Sequence, residues 1–199
     1  MLPFWTGRTV DAKYGGYLPY FDKNLQPTGE TEKTTIMQLR IAWDFALAQH
    51  LNPQNDSYQQ GLNSGLQFIE KYLWDNESGG WFWSVNQTGQ PLDVNKKLIT
   101  QVHAVYMLSD IFLFTGNPTA LRLAERTMAL VDKNGHDEKY GGYIESYTRQ
   151  FQPQANEIKE SGVQIHMLLA LVKLSRAAPK KIYRIRLREM YQIIKKHFV

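Results

Sequence analysis

The chain has 199 residues, 43% of them hydrophobic, a net charge of +4 and no cysteine. That length suffices for one substantial core, and the missing cysteines exclude disulfides and thiolate metal sites. With no His-Glu-x-x-His, EF-hand or phosphate-cradling glycine motif in the sequence, neither a metal nor a cofactor is expected.

The first segment, MLPFWTGRTVD, lacks the charged-then-apolar pattern of a signal peptide, so a cytoplasmic protein is expected. No apolar run reads as long enough to span a membrane. Gly15-Gly16 then opens the first of three similar segments, KYGGYLPYFDKNLQPTG. Apolar and polar residues alternate on both sides of a turn-rich middle, which is a short β-hairpin signal. The glycines permit positive φ and close backbone approach. A helix is predicted over about Thr31–His50, apolar nearly all round. The breaker Asn52-Pro53 follows, then a more amphipathic helix over about Ser57–Leu73.

The plan repeats. Gly79-Gly80 opens SGGWFWSVNQTGQP, followed by helices over about Asn95–Thr115 and Thr119–Lys133, split by Gly116-Asn117-Pro118. Gly141-Gly142 opens KYGGYIESYTRQFQP, followed by helices over about Glu157–Ala177 and Lys180–His197, with Pro179 between. The last stretch is basic: from Lys173 onward there are nine Lys/Arg against one acid, Glu189. Ile182, Tyr183, Met190, Tyr191, Ile194 and Phe198 recur there at helical spacing. A packed helix with a solvated basic face explains the charge, and neither nucleic acid nor membrane is expected as a partner.

The register of the repeat is tight. Gln38-Leu39-Arg40, Gln101-Val102-His103 and Gln164-Ile165-His166 stand at one constant interval along the chain. A fixed period of this kind marks stacked repeat units. Three units over about 1–75, 76–135 and 136–199 form a single domain on this reading. The apolar first helix of each pair suits an inner ring and the wetter second helix an outer ring. The predicted class is all-α: an α/α toroid, half of an (α/α)6 barrel, built from three copies of a Gly-Gly hairpin plus two helices.

Such an arc would aim Arg40, His103 and His166 at one axis. Arg40, expected to be buried on its apolar helix, reads either as a fixed cation for an enolate-like oxygen or as an i,i+4 ion-pair partner of Asp44. His166, in the apolar VQIHMLLALVKL, reads either as a proton-transfer group or as a satisfied core histidine. The aromatic content of 13% fits sugar stacking and equally fits a large helical core. Gln101, Trp81 and Trp83 join His103 as candidate substrate contacts. For a glycoside hydrolase, which needs two carboxylates in one pocket, the candidates are Asp44, Asp110 and Glu145.

The FW…VD…YGGY opening, the K…Q-x-R-x-x-W-x-F-A run of Lys33 to Ala46, GGWFWSV, TGNPTALRLAERTM and GGYIES stand in one order along the chain. In these the sequence resembles the N-acylglucosamine 2-epimerase superfamily, and within it the cellobiose 2-epimerase branch, over its N-terminal half. The resemblance implies an (α/α)6 barrel that epimerises or isomerises sugars at C2, with Arg40 contacting sugar oxygens and His166 in the pocket. It also marks departures. Gly162 and Gln164 stand where the family has Asn and His, Leu169 where a Glu often stands, Ile99 in place of a Tyr and His103 in place of an aromatic. The family's proton-transferring histidine pair belongs to the other half. The resemblance therefore implies a mono- or disaccharide substrate, and a second copy or a complementary C-terminal half at the open edge. A non-catalytic sugar-binding or assembly module of the same fold is the alternative.

Overall fold

A computed structural model describes residues 7–154 and 159–197. Six long helices are present among them: α1 Thr35–Leu51, α2 Asp56–Phe68, α3 Leu98–Thr115, α4 Pro118–Gly135, α5 Ser161–Ala177 and α6 Lys181–His197. A π-helical turn, Ile69–Leu73, extends α2. The chain punctuation acts as its chemistry requires. Asn55 and Asn117 cap α2 and α4 by accepting the backbone N–H groups of Ser57 and of Thr119 and Ala120, and Gly116 ends α3 in the left-handed region. The predicted start of α5 at Glu157 lies outside the described residues, as do Phe198 and the opening Phe4 and Trp5.

The inner helices α1, α3 and α5 pack side by side in that order, and α2, α4 and α6 each back their own inner helix. The central inner helix α3 is covered from both sides. It is 18 residues long and, contrary to the sequence expectation, apolar enough by length and composition to cross a membrane; two thirds of it is buried by its neighbours, so it serves as the core helix of the arc. At the α5 edge that cover is missing, and Ile165, Leu169 and Val172 are exposed.

The glycine-rich segments differ from the predicted hairpins. Within each, antiparallel pairing shrinks to isolated bridges such as Val10–Tyr17, Trp74–Trp81 and His136–Tyr143. The regular strands join successive units instead. β1 (Lys33–Thr34) pairs with β2 (Ser84–Val85), and β3 (Lys96–Lys97) pairs with β4 (Ser146–Tyr147). These two-residue ladders stitch the units together at the N-terminal ends of the inner helices.

Two side chains per unit fix the loops. The amides of Gln38, Gln101 and Gln164 each clamp one backbone unit. Gln101 Oε1 accepts from Trp81 N–H at 2.9 Å and its Nε2 donates to Trp81 C=O at 2.9 Å; Gln38 does the same at Tyr17, and Gln164 at Tyr143. The second glycine of each pair makes room for this clamp. Gly80 has φ +76°, and a Cβ there would stand 2.3 Å from the Phe151 ring and 3.1 Å from Gln101 Oε1. Lys33, Lys96 and Lys159 recur at the same interval as the glutamines. Each binds the aspartate that starts its loop: Asp11 at 2.7 Å, Asp75 at 3.0 Å and Asp137 at 2.5 Å.

Candidate functional site

The N-terminal half of each inner helix places one side chain of the repeat on the concave face. Arg40 of α1, His103 of α3 and His166 of α5 line a single cavity of ≈ 430 Å³ together with Trp43, Asp44, Tyr106, Met107 and Leu169. The period explains the set, since Trp43, Tyr106 and Leu169 are equivalent positions of the three units, one helical turn beyond the basic triplet. The predicted convergence of Arg40, His103 and His166 is therefore present.

The two imidazoles are fixed in the same way. His103 Nδ1 lies 2.8 Å from the Ile99 carbonyl and His166 Nδ1 lies 2.7 Å from the Gly162 carbonyl, each one helical turn back. A carbonyl oxygen only accepts, so both Nδ1 atoms carry hydrogen, and in the neutral ring Nε2 holds the lone pair. The rings stack on one another, 4.8 Å between centroids and 28° between planes. Burial pushes the His103 pKa below its ordinary value, and the nearby His166 and Arg40 push the same way against the opposing hydrogen bond to Ile99. The neutral ring of His103 is thus favoured more than in an ordinary histidine.

Arg40 departs from the expectation of burial. It is exposed on the cavity rim, because the concave face of the three-unit arc is open. No carboxylate lies within ion-pair distance of it among the described residues, so the Arg40–Asp44 pair is not formed. Asp44 also has no hydrogen-bond partner among them, and burial raises its carboxyl pKa.

Three other candidates are not cavity residues. Gln101 and Trp81 are fully buried, with the Gln101 amide spent on the Trp81 backbone and the Trp81 indole N–H donating to Thr127 Oγ1 at 2.8 Å. Trp83 lies outside the cavity, with the Lys97 ammonium over its ring and its carbonyl accepting from Thr35 N–H. Trp43 and Tyr106 supply the aromatic walls instead. The repeat period applied to the tryptophan of Arg-x-x-Trp would have found Tyr106. Of the hydrolase carboxylates, only Asp44 faces the cavity. Asp110 is paired with Lys173 and accepts from the Trp43 indole, while Glu145 accepts from Glu160 N–H and the Gln164 amide.

Inner and outer helices in this order, joined by glycine-rich loops around a basic and aromatic concavity, define half of an (α/α)6 toroid of the sugar-epimerase type. The sequence matches the N-acylglucosamine 2-epimerase (GlcNAc 2-epimerase) family over residues 15–199, and the chain belongs to that family. It is 30% identical over 191 residues to a cellobiose 2-epimerase of Eubacterium cellulosolvens, covering 92% of this chain and 46% of that protein. It is 29% identical to one of Bacteroides fragilis, covering 88% of this chain and 47% of the other. The structure of cellobiose 2-epimerase from Spirochaeta thermophila superposes with a TM-score of 0.88 at 29% identity, over 98% of this chain and 50% of that one. The chain spans about half the length of the curated relatives it matches.

Proposed function

We propose that the cavity holds a mono- or disaccharide and supplies one face of a proton transfer at the sugar C2. The observation that carries this reading is the convergence of Arg40, His103 and His166 with Trp43 and Tyr106 on one concavity. Aromatic faces stack on the apolar C–H faces of a pyranose, and the fixed basic groups meet its hydroxyls. Once the sugar ring opens, the C1 carbonyl acidifies the C2 proton. A neutral imidazole Nε2 takes that proton, and the Arg40 guanidinium stabilises the resulting enediolate. Arginine stays protonated throughout, so it cannot be the base.

Inversion at C2 needs a second acid on the opposite face of the enediolate. His103 and His166 stack on one wall, so they reach a bound sugar from the same side. As a separate polypeptide, these 199 residues then act on one face only. The test is to incubate the chain with cellobiose in D2O and follow the C2 proton by NMR. Washout without formation of the epimer is the expected result, at a rate about 10²–10⁴-fold below that of a complete acid–base pair. Full epimerisation would refute the one-face reading. Absence of both exchange and sugar binding would refute the sugar site and leave an assembly module.

A further inference from the structure

One helical turn beyond the wall residues Trp43, Tyr106 and Leu169, the three inner helices carry Leu47, Asp110 and Lys173. The first unit meets this position with an apolar side chain, so the repeat itself does not call for charge there. Helix α3 nevertheless places a carboxylate at that point, and Asp110 is only 2% exposed. A buried carboxylate is costly unless its oxygens are satisfied. Asp110 draws its partners from both neighbouring inner helices. Its Oδ2 accepts from the Trp43 indole N–H of α1 at 3.2 Å. The Lys173 ammonium of α5 lies 2.9 Å from Oδ1 and donates to Oδ2 at 3.0 Å.

Both partners bear on the aromatic walls of the cavity. Trp43 lines it, with its ring edge-on to Phe114 at 5.9 Å between centroids. An indole has a single polar handle, its N–H, and a charged acceptor makes that hydrogen bond strong enough to fix the rotation of the ring. Lys173 Nζ stands 5.6 Å from the centroid of the Tyr106 ring, within reach of a cation–π contact. A single carboxylate therefore holds the Trp43 indole directly and holds the ammonium that faces Tyr106.

We propose that Asp110 is a positioning residue: it orients Trp43 and Tyr106 toward a bound sugar ring without touching the sugar, a role that rests on the sugar reading of the cavity given above. Asp110 is not among the cavity-lining residues, so it acts through the side chains it holds. Stability alone does not account for it. A buried ion pair contributes little net stability, and apolar side chains of similar volume often replace one without loss. An apolar replacement cannot, however, hold an indole N–H. Stacking on a pyranose depends on the plane of the aromatic ring, and buried partners behind the contact residues are what keep such a plane fixed.

The experiment compares the full chain with two double variants. Asp110→Leu/Lys173→Met removes both charges and the indole acceptor. Asp110→Asn/Lys173→Met removes both charges but keeps a neutral acceptor for Trp43. Three quantities are read: the melting temperature, the ¹⁵N-indole resonance of Trp43 (assigned with Trp43→Phe), and cellobiose affinity by calorimetry. Asp110→Leu/Lys173→Met is expected to keep its melting temperature, to lose the hydrogen-bonded Trp43 resonance, and to bind cellobiose about tenfold more weakly. Asp110→Asn/Lys173→Met is expected to recover that resonance and part of the affinity. A Trp43 resonance unchanged in the Leu/Met variant would overturn the proposal. So would equal losses of melting temperature and affinity in both variants, which would make Asp110 a structural residue. Equal cellobiose binding by all three proteins would overturn the positioning role alone and leave the sugar reading standing. No cellobiose binding by the wild-type chain would sink the sugar reading, and this role with it.

Discussion

The imidazoles of His103 and His166, at equivalent positions of successive units, stack face to face at 4.8 Å between centroids, each anchored through Nδ1 to the carbonyl one turn earlier. The contact requires adjacent inner helices in identical register, which the repeat provides. It also couples the two rings, since a proton on one disfavours a proton on the other.

That coupling gives a pH prediction. Burial and the neighbouring cations hold the His103 pKa below its ordinary 6.5, so its base form predominates at pH 6.5 and above. C2 exchange should therefore change less between pH 6.5 and 8 than it does below pH 6.5. The stability linkage has the same sign. Between the lowered value and 6.5 the unfolded chain binds the proton and the folded chain does not, so stability declines as pH falls through that window. His103→Phe keeps a ring in the stack and should remove this decline in urea titrations, along with C2 exchange.

The glutamine clamp gives a stability prediction. Gln101→Ala leaves the buried N–H and C=O of Trp81 without partners, and each such group costs about 1–3 kcal/mol. A loss of about 2–6 kcal/mol is expected, measured by the urea midpoint at constant m-value. If Gln101 were a sugar contact, the variant would instead keep its stability and lose binding.

The clamp also shows what the sequence can and cannot reveal. The Gln-x-basic triplet is visible because it recurs at a constant interval, and that period correctly places Arg40, His103 and His166 on one concavity. The period alone does not tell which of two residues, separated by one, faces inward. On a helix Gln101 and His103 diverge by about 200°, so one enters the loop-side core and the other the cavity. Trp81 and Trp83 pose the same problem on an extended segment, where alternate side chains take opposite faces. Lys33, Lys96 and Lys159 carry the same period, but a buried lysine cannot be told from a solvated one until its aspartate is placed in space.

Substitution of Gly80 tests the loop geometry. Its φ of +76° and the 2.3 Å approach of a Cβ to Phe151 make Gly80→Ala strained in both backbone and packing. A loss of about 2 kcal/mol or more is expected. Gly7→Ala, where nothing lies within 4 Å, should change stability little and serves as the control.

Acid should act on the three loop aspartates. Burial would raise Asp11 and Asp75, but the hydrogen bonds from Lys33 to Asp11, and from Arg149 and Lys96 to Asp75, outweigh it and hold both below the usual 3.8. The hydrogen bond from Lys159 lowers Asp137. A lowered carboxylate stabilises the fold fully above its unfolded value, and that contribution is lost as pH falls through the folded one. Thermal stability should therefore drop steeply below about pH 4, near the 3.8 at which these groups ordinarily titrate. Asp75→Asn should flatten that drop while lowering stability at pH 7, by leaving the buried Lys96 without its carboxylate.

The claim that the Arg40–His103–His166 cavity is a sugar site is tested most directly by NMR of the chain labelled with ¹⁵N-histidine, titrated with cellobiose at pH 7. The account predicts Nδ1–H tautomers for His103 and His166. Saturable shifts at their Nε2 atoms are expected, absent in Arg40→Ala and undiminished in Trp83→Phe. Shifts confined to His50, His136 or His197, or no shift at saturating sugar, would contradict it.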